Sequence, residues 1–116
     1  MQPEALPPFE VIVRPAGQVV VLELHGDLCM RTAPEVAEQV TQVAAAHPSE
    51  ILFDLRDVEF MDSNGVRLLI ETDERARQLG FDFGISLHGD QPSRVLELVG
   101  MVDWPRRVPA QELPAA

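Results

Sequence analysis

Apolar and polar positions along this chain fall into short alternating runs and helical stripes separated by glycine and proline. Phe9-Glu10-Val11-Ile12-Val13 alternates in part, and Val19-Val20-Val21-Leu22-Glu23-Leu24 is a nearly continuous apolar run. The turn-forming Pro15-Ala16-Gly17-Gln18 between them predicts a β-hairpin. The unbroken run places the second strand inside a sheet, and Gly26 ends it. Thr32-Ala33-Pro34-Glu35 then reads as a capping box with proline in the first turn, and Val36, Val40, Val43 and Ala44 recur at helical spacing. This predicts a first helix from about Ala33 to Ala46, stopped by Pro48.

Ile51-Leu52-Phe53-Asp54-Leu55 is a short apolar run that reads as a buried, parallel strand reached by that helical crossover. A second helix is predicted from Asp62 or Ser63 to Gly80, with Val66, Leu69, Ile70, Ala76 and Leu79 tracing one face. Asp73 interrupts that face, and Glu71 with Arg75 and Asp73 with Arg77 are spaced to pair. Phe81 to Leu87 alternates as a half-buried strand should. A third helix is expected after it, capped by Asp90, with Pro92 in its first turn, Val95, Leu96 and Val99 as apolar positions, and Gly100 as its end. The order β-β-α-β-α-β-α, with a last short strand near Met101-Val102, predicts one small α/β domain. Its mixed sheet has four to five strands, with helices mainly on one side.

At 116 residues the chain can bury a single core without disulfides or a structural metal. Pro105 to Ala116, with prolines at 105, 109 and 114, carries too little apolar content to pack and reads as a loose tail; the first eight residues read as flexible too. Net charge is −10, and all nine basic residues are arginine. That balance argues against nucleic-acid binding, which draws its affinity from basic patches. It suits a protein partner with a basic face, and equally it suits solubility alone. The single cysteine, Cys29, forms no intramolecular disulfide, and the start of the chain lacks a basic segment followed by an apolar stretch. No apolar run approaches the ~20 residues that span a bilayer, so a cytoplasmic protein without membrane insertion is expected.

The most informative stretch is Phe60-Met61-Asp62-Ser63-Asn64-Gly65-Val66, where a strand hands over to a helix. Ser63 sits there among backbone N–H groups with no intrahelical partner, at the positive end of the helix dipole. Two readings are open: a serine that only caps the helix, or a hydroxyl available for modification, a phosphate being comfortable at such a place. Asp62 beside it can cap the same helix, which tilts the balance toward the second. Gly65 admits two readings as well, a glycine tolerated because the helix has barely begun, or one needed for close approach of another backbone or of a partner.

Those residues resemble the Asp-Ser-x-Gly phosphorylation motif of bacterial anti-sigma factor antagonists in the STAS family. The resemblance extends in the same order through Gly26-Asp27-Leu28, Thr32-Ala33-Pro34 and Ile51 to Leu55. It implies a STAS-like domain over residues 9–104, between the N-terminal segment at 1–8 and the tail at 105–116. It implies further that the chain binds an anti-sigma factor that is also an ATP-dependent serine kinase. That kinase phosphorylates Ser63 and so switches the antagonist off, and a serine phosphatase acting on phospho-Ser63 restores it. The partner-binding face expected from the family comprises Asp27, Cys29 and Arg31 from the loop after the second strand, with Asp62, Ser63, Asn64, Gly65 and Arg67. The family often has an acidic residue where this chain has Cys29, so any contact made through that carboxylate is in doubt. On composition alone the same loop residues read equally well as solvated.

No cofactor is expected, and His25, His47 and His88 are too scattered for a metal site. Trp104 is expected to cap the end of the core, with an exposed partner anchor as the alternative. The chain is read as a binding protein and not an enzyme, since Ser63 lies outside a Gly-x-Ser-x-Gly context and has no histidine beside it in sequence. Within the family a STAS subunit of a membrane lipid transporter or of a stress-signalling assembly is the other role such a chain could have.

Overall fold

The computed structural model describes residues 8–88 and 90–115. Gly17 takes φ 66° in the turn between β1 (Glu10–Ala16) and β2 (Val19–His25), a backbone that favours glycine, so the hairpin closes as the sequence predicts. The chain continues through α1 (Ala33–Ala44), β3 (Glu50–Asp57), α2 (Ser63–Leu79), β4 (Asp82–Ser86), α3 (Asp90–Leu98) and β5 (Arg106–Arg107), and then makes a single 3-10 turn over Ala110–Glu112. The sheet has the order β1-β2-β3-β4-β5. Only the β1–β2 pairing is antiparallel; the others are parallel.

Alternation along the strands splits the side chains between two faces. Leu22, Leu24, Ile51, Phe53, Leu55, Phe83 and Ile85 form the main core with Val36 and Val40 of α1, Leu69 and Ala76 of α2 and Leu96 of α3. Phe53 and Phe83 meet edge to face with ring centroids 4.8 Å apart. All three helices therefore cover one face. The opposite face carries a smaller apolar cluster of Val21, Leu52 and Val108, against which Val19 and Leu113 pack.

That second cluster corrects the expectation of a loose tail. Residues 106–107 pair with β4 as the last strand, in place of the strand expected near Met101-Val102, and the chain after them lies across the helix-free face. Sparse apolar content suffices because the sheet offers a fitted seat: a side chain at Gly84 would come within 2.9 Å of Val108 Cγ2. Arg14 Nη1 also donates to Pro114 O at 3.0 Å, and Arg106 pairs with Glu50. The expectation of a flexible start falls mostly on residues 1–7, which lie outside the described residues.

Other boundaries differ in detail. α1 ends at Ala44, and Thr32 at its start has φ −104° and ψ −25°, a helical backbone rather than the extended one a side-chain cap requires, so the expected capping box is not made. α3 begins at Asp90 itself, which is thus inside the helix and not before it. On α2 the buried stripe is Gly65, Val66, Leu68, Leu69, Thr72 and Ala76, while Ile70 and Leu79, expected in the core, are exposed. Ile70 stands about 100° around the helix from Leu69 and so leaves the stripe. Asp73, which breaks the apolar pattern, accepts a hydrogen bond from Trp104 Nε1 at 3.0 Å and pairs with Arg77. Trp104 is half-buried against the main core, as its reading as a core cap expects.

Candidate functional site

β2 and β3 run parallel, and the segments that follow them stay together past the ends of the strands. Leu28 and Met61 form an isolated parallel bridge: Leu28 N donates to Phe60 O at 2.9 Å, and Asp62 N donates to Leu28 O at 3.2 Å. Both side chains are buried in the main core, so apolar burial anchors the two loops from beneath. Asp27, Cys29 and Arg31 are thereby set beside Asp62, Ser63 and Asn64, residues more than thirty positions apart in sequence.

Gly65 makes this apposition possible. A Cβ there would lie 2.5 Å from Met61 Cγ, 2.9 Å from Leu28 O and 3.1 Å from Leu28 Cγ. Close approach of another backbone, one of its two sequence readings, is therefore what the structure contains. Gly65 is buried, so its part in the site is to let the loop sit against the helix.

Asp62 is the cap of α2. Its backbone is extended, with φ −109° and ψ −169°, and its Oδ1 accepts from Asn64 N at 2.8 Å and from Gly65 N at 3.3 Å. Ser63, the first helical residue, is exposed, and among the described residues no hydrogen bond engages its hydroxyl. Of the two readings of Ser63, capping is the one the geometry does not use.

Two further side chains hold the loops. The fully buried Thr32 hydroxyl donates to Asp27 O at 2.6 Å and accepts from Cys29 N at 3.0 Å, tying the 27–32 turn together. From α3, Gln91 Oε1 accepts from Met61 N at 2.8 Å and Gln91 Nε2 donates to Met61 O at 3.0 Å. Sequence reading assigned Thr32 to a cap and missed Gln91, whose contact spans thirty residues and leaves no local pattern.

Arg67, with Asn64 and Glu71 of α2 and with Met30, Ala33 and Pro34, lines an open groove of about 320 Å³. Met30 is 73% exposed and Phe60 44% exposed, so two large apolar side chains lie at the solvent surface near Ser63. From sequence Phe60 was named only as the start of the Ser63 stretch, and Met30 was not singled out.

The perturbed titratable pair lies on the helix-free face. Burial alone would push the Asp54 carboxyl up, but paired hydrogen bonds from Arg56 Nε and Nη2, both 2.9 Å, outweigh it and hold the group below its ordinary value. His25 lies between Glu23 and Asp57, with ring nitrogens 3.3 Å and 3.2 Å from their carboxylate oxygens. Among the described residues no group of three or more His, Cys, Asp or Glu side chains is placed to hold a metal ion, and no helix is long and apolar enough to cross a membrane.

An exposed serine after an aspartate cap, beyond the C-terminal ends of two parallel strands whose loops are bridged in a β-β-α-β-α-β-α domain, defines a class. Residues 10–112 match the model of the STAS domain, and the chain belongs to that family, in its anti-sigma factor antagonist type. This is a group of binding proteins and not of enzymes. The chain is 32% identical over 91 residues to the anti-sigma-F factor antagonist RsfB of Mycobacterium tuberculosis, covering 78% of this chain and 74% of that protein. The crystal structure of an anti-sigma factor antagonist from Mycobacterium paratuberculosis superposes with a TM-score of 0.77 at 27% identity, over 86% of this chain and 85% of the other. SpoIIAA in its unphosphorylated form gives a TM-score of 0.74 at 18% identity over 90% of each chain. The Bacillus cell fate determinant SpoIIAA has also been solved in its phosphorylated form, with a TM-score of 0.68 at 18% identity over 90% of this chain and 93% of that one. At that identity SpoIIAA shows the shared fold alone.

Proposed function

We propose that this chain is a cytoplasmic anti-sigma factor antagonist that docks through the face around Ser63 onto an anti-sigma factor with serine kinase activity, and that phosphorylation of Ser63 turns it off. The observation that carries the reading is the exposed, unengaged Ser63 hydroxyl at the first position of α2, with Asp62 doing the capping. In the modification step the Ser63 oxygen takes the γ-phosphoryl group of the kinase's ATP. The bond to the β-phosphate oxygen breaks to give ADP, and the hydroxyl proton leaves to a base on the kinase. A phosphatase returns the hydroxyl by hydrolysis. The relatives named as anti-sigma factor antagonists support the antagonist role within this reading.

The energetics fit a switch at the surface. A phosphate adds about −1.5 to −2 charges, and the helix N-terminus returns ~0.3–1 kcal/mol of favourable interaction. Repulsion from Asp62 opposes it by a few kcal/mol at an effective dielectric of ~20, reduced by solvent because Ser63 is exposed. The fold tolerates the group. A partner face matched to a neutral hydroxyl does not, since a buried, unmatched dianion weakens binding by a factor of at least ~10²–10³. Asp27, Cys29, Arg31, Asn64 and Arg67 form the rest of the docking face, with Met30 and Phe60 as its apolar contacts.

The test is intact mass and site mapping after incubation with the partner kinase and ATP, followed by binding measurements on the purified phosphoprotein. One phosphate on Ser63 and a loss of at least ~10²-fold in affinity are expected, with Ser63→Ala folding normally and keeping full affinity. Equal affinity of the phosphorylated and unmodified chains overturns the proposal.

A further inference from the structure

Residues 60–62 form one short extended segment whose backbone groups alternate in direction. Phe60 O and Asp62 N point to Leu28, and Met61 N and O point the opposite way, to the Gln91 carboxamide. This is the bonding pattern of a strand with a neighbour on each side. On one side the neighbour is the Leu28 backbone. On the other a planar side-chain amide from α3 replaces it, with one acceptor and one donor matched to one residue's N–H and C=O.

We infer that Gln91 is a positioning residue for Ser63: its amide acts as a substitute strand that fixes Met61, and through Met61 it sets the direction in which Asp62 and Ser63 leave the sheet. Met61 is the residue immediately before the Asp62 cap, so a rotation of its peptide planes is passed on to the first turn of α2. Without Gln91 the segment is held by Leu28 alone, and the Ser63 hydroxyl samples orientations unsuited to in-line attack on a phosphoryl group. Orientation of a reacting atom is read in turnover more than in docking, because the partner contacts the whole face while transfer depends on one oxygen. The catalytic consequence rests on the Ser63 reading above; the clamp itself does not.

Two variants of the full chain test it. Gln91→Met keeps the length and packing of the side chain and removes both hydrogen bonds, and Gln91→Ala removes both bonds and the packing. Backbone amide exchange followed by NMR should show Met61 exchanging about tenfold faster in either variant, with the amides of Leu52 and Phe53 in β3 unchanged. With the partner kinase and ATP, kcat for Ser63 phosphorylation should fall about tenfold while KM changes less than about twofold. A residue that only supports the fold would lower the melting temperature and leave that split absent. Unchanged Met61 exchange in Gln91→Met overturns the inference whatever the kinase does. Accelerated exchange with an unchanged kcat overturns the positioning role. If the wild-type chain accepts no phosphate on Ser63, the switch fails on its own, and the exchange at Met61 then decides the clamp.

Discussion

Replacing Gly65 with alanine tests the construction of the face most directly. The added methyl would sit 2.5 Å from Met61 Cγ and 2.9 Å from Leu28 O. Met61 Cγ belongs to a flexible side chain, but that residue is 1% exposed within the main core and has little room to swing. Leu28 O is backbone and already accepts from Asp62 N at 3.2 Å, so relief requires the 27–29 loop to back away from α2. Overpacking of this kind costs about 1–3 kcal/mol, and weakening the two bonds of the Leu28–Met61 bridge adds about 0.5–1.5 kcal/mol each. Alanine returns at most about 1 kcal/mol of helix propensity. The net expectation is a loss of roughly 1–5 kcal/mol, seen as a fall in melting temperature of roughly 4–20 °C, with faster amide exchange at Leu28. Gly17→Ala is the control: nothing lies within 4 Å of its added carbon, so its loss reports only the φ of 66°. A Gly65→Ala chain that melts at or above wild type would refute the close-approach account.

Asp62→Ala should lose about 1 kcal/mol with the two capping bonds, whereas Ser63→Ala should stay within about 0.5 kcal/mol of wild type; paired urea titrations read both. Val108→Ala should cost roughly 1–2 kcal/mol in the same titration, because it uncovers Val21 and Leu52; a neutral result would mean that the segment after β5 does not cover the sheet. The Asp54 carboxyl is held below its ordinary value of 3.8, so its pairing with Arg56 contributes stability that is present above the unfolded-state value and lost as pH falls through the lowered folded value. The stability gap between wild type and Arg56→Gln should accordingly be constant at neutral pH and close below about pH 4, measured by urea midpoints across acid pH.

The elements were legible because their signals are local. Alternation in Phe81 to Leu87, the glycine turn before Val19 and the helical spacing after Ser63 each depend on neighbours within one or two turns. The same holds for the Asp62 cap, which needs only the residues two and three positions on. What was lost depends on distant partners. Val108 and Leu113 look insufficient to pack until the bare Gly84 and the paired Val21 and Leu52 are set beneath them. Thr32 carries the pattern of a cap, but its hydroxyl is drawn back to Asp27 and Cys29 by the turn before it. Gln91 is one polar residue on an amphipathic helix, indistinguishable by period from its solvated neighbours.

The two loops that frame Ser63 are joined backbone to backbone at Leu28 and Met61, so the spacing between them owes nothing to the outward side chains at 27, 29, 30, 31, 63 and 64. Those positions can be rewritten freely while the seat on which they stand keeps its dimensions. A change in what the face recognises then comes at almost no cost in folding.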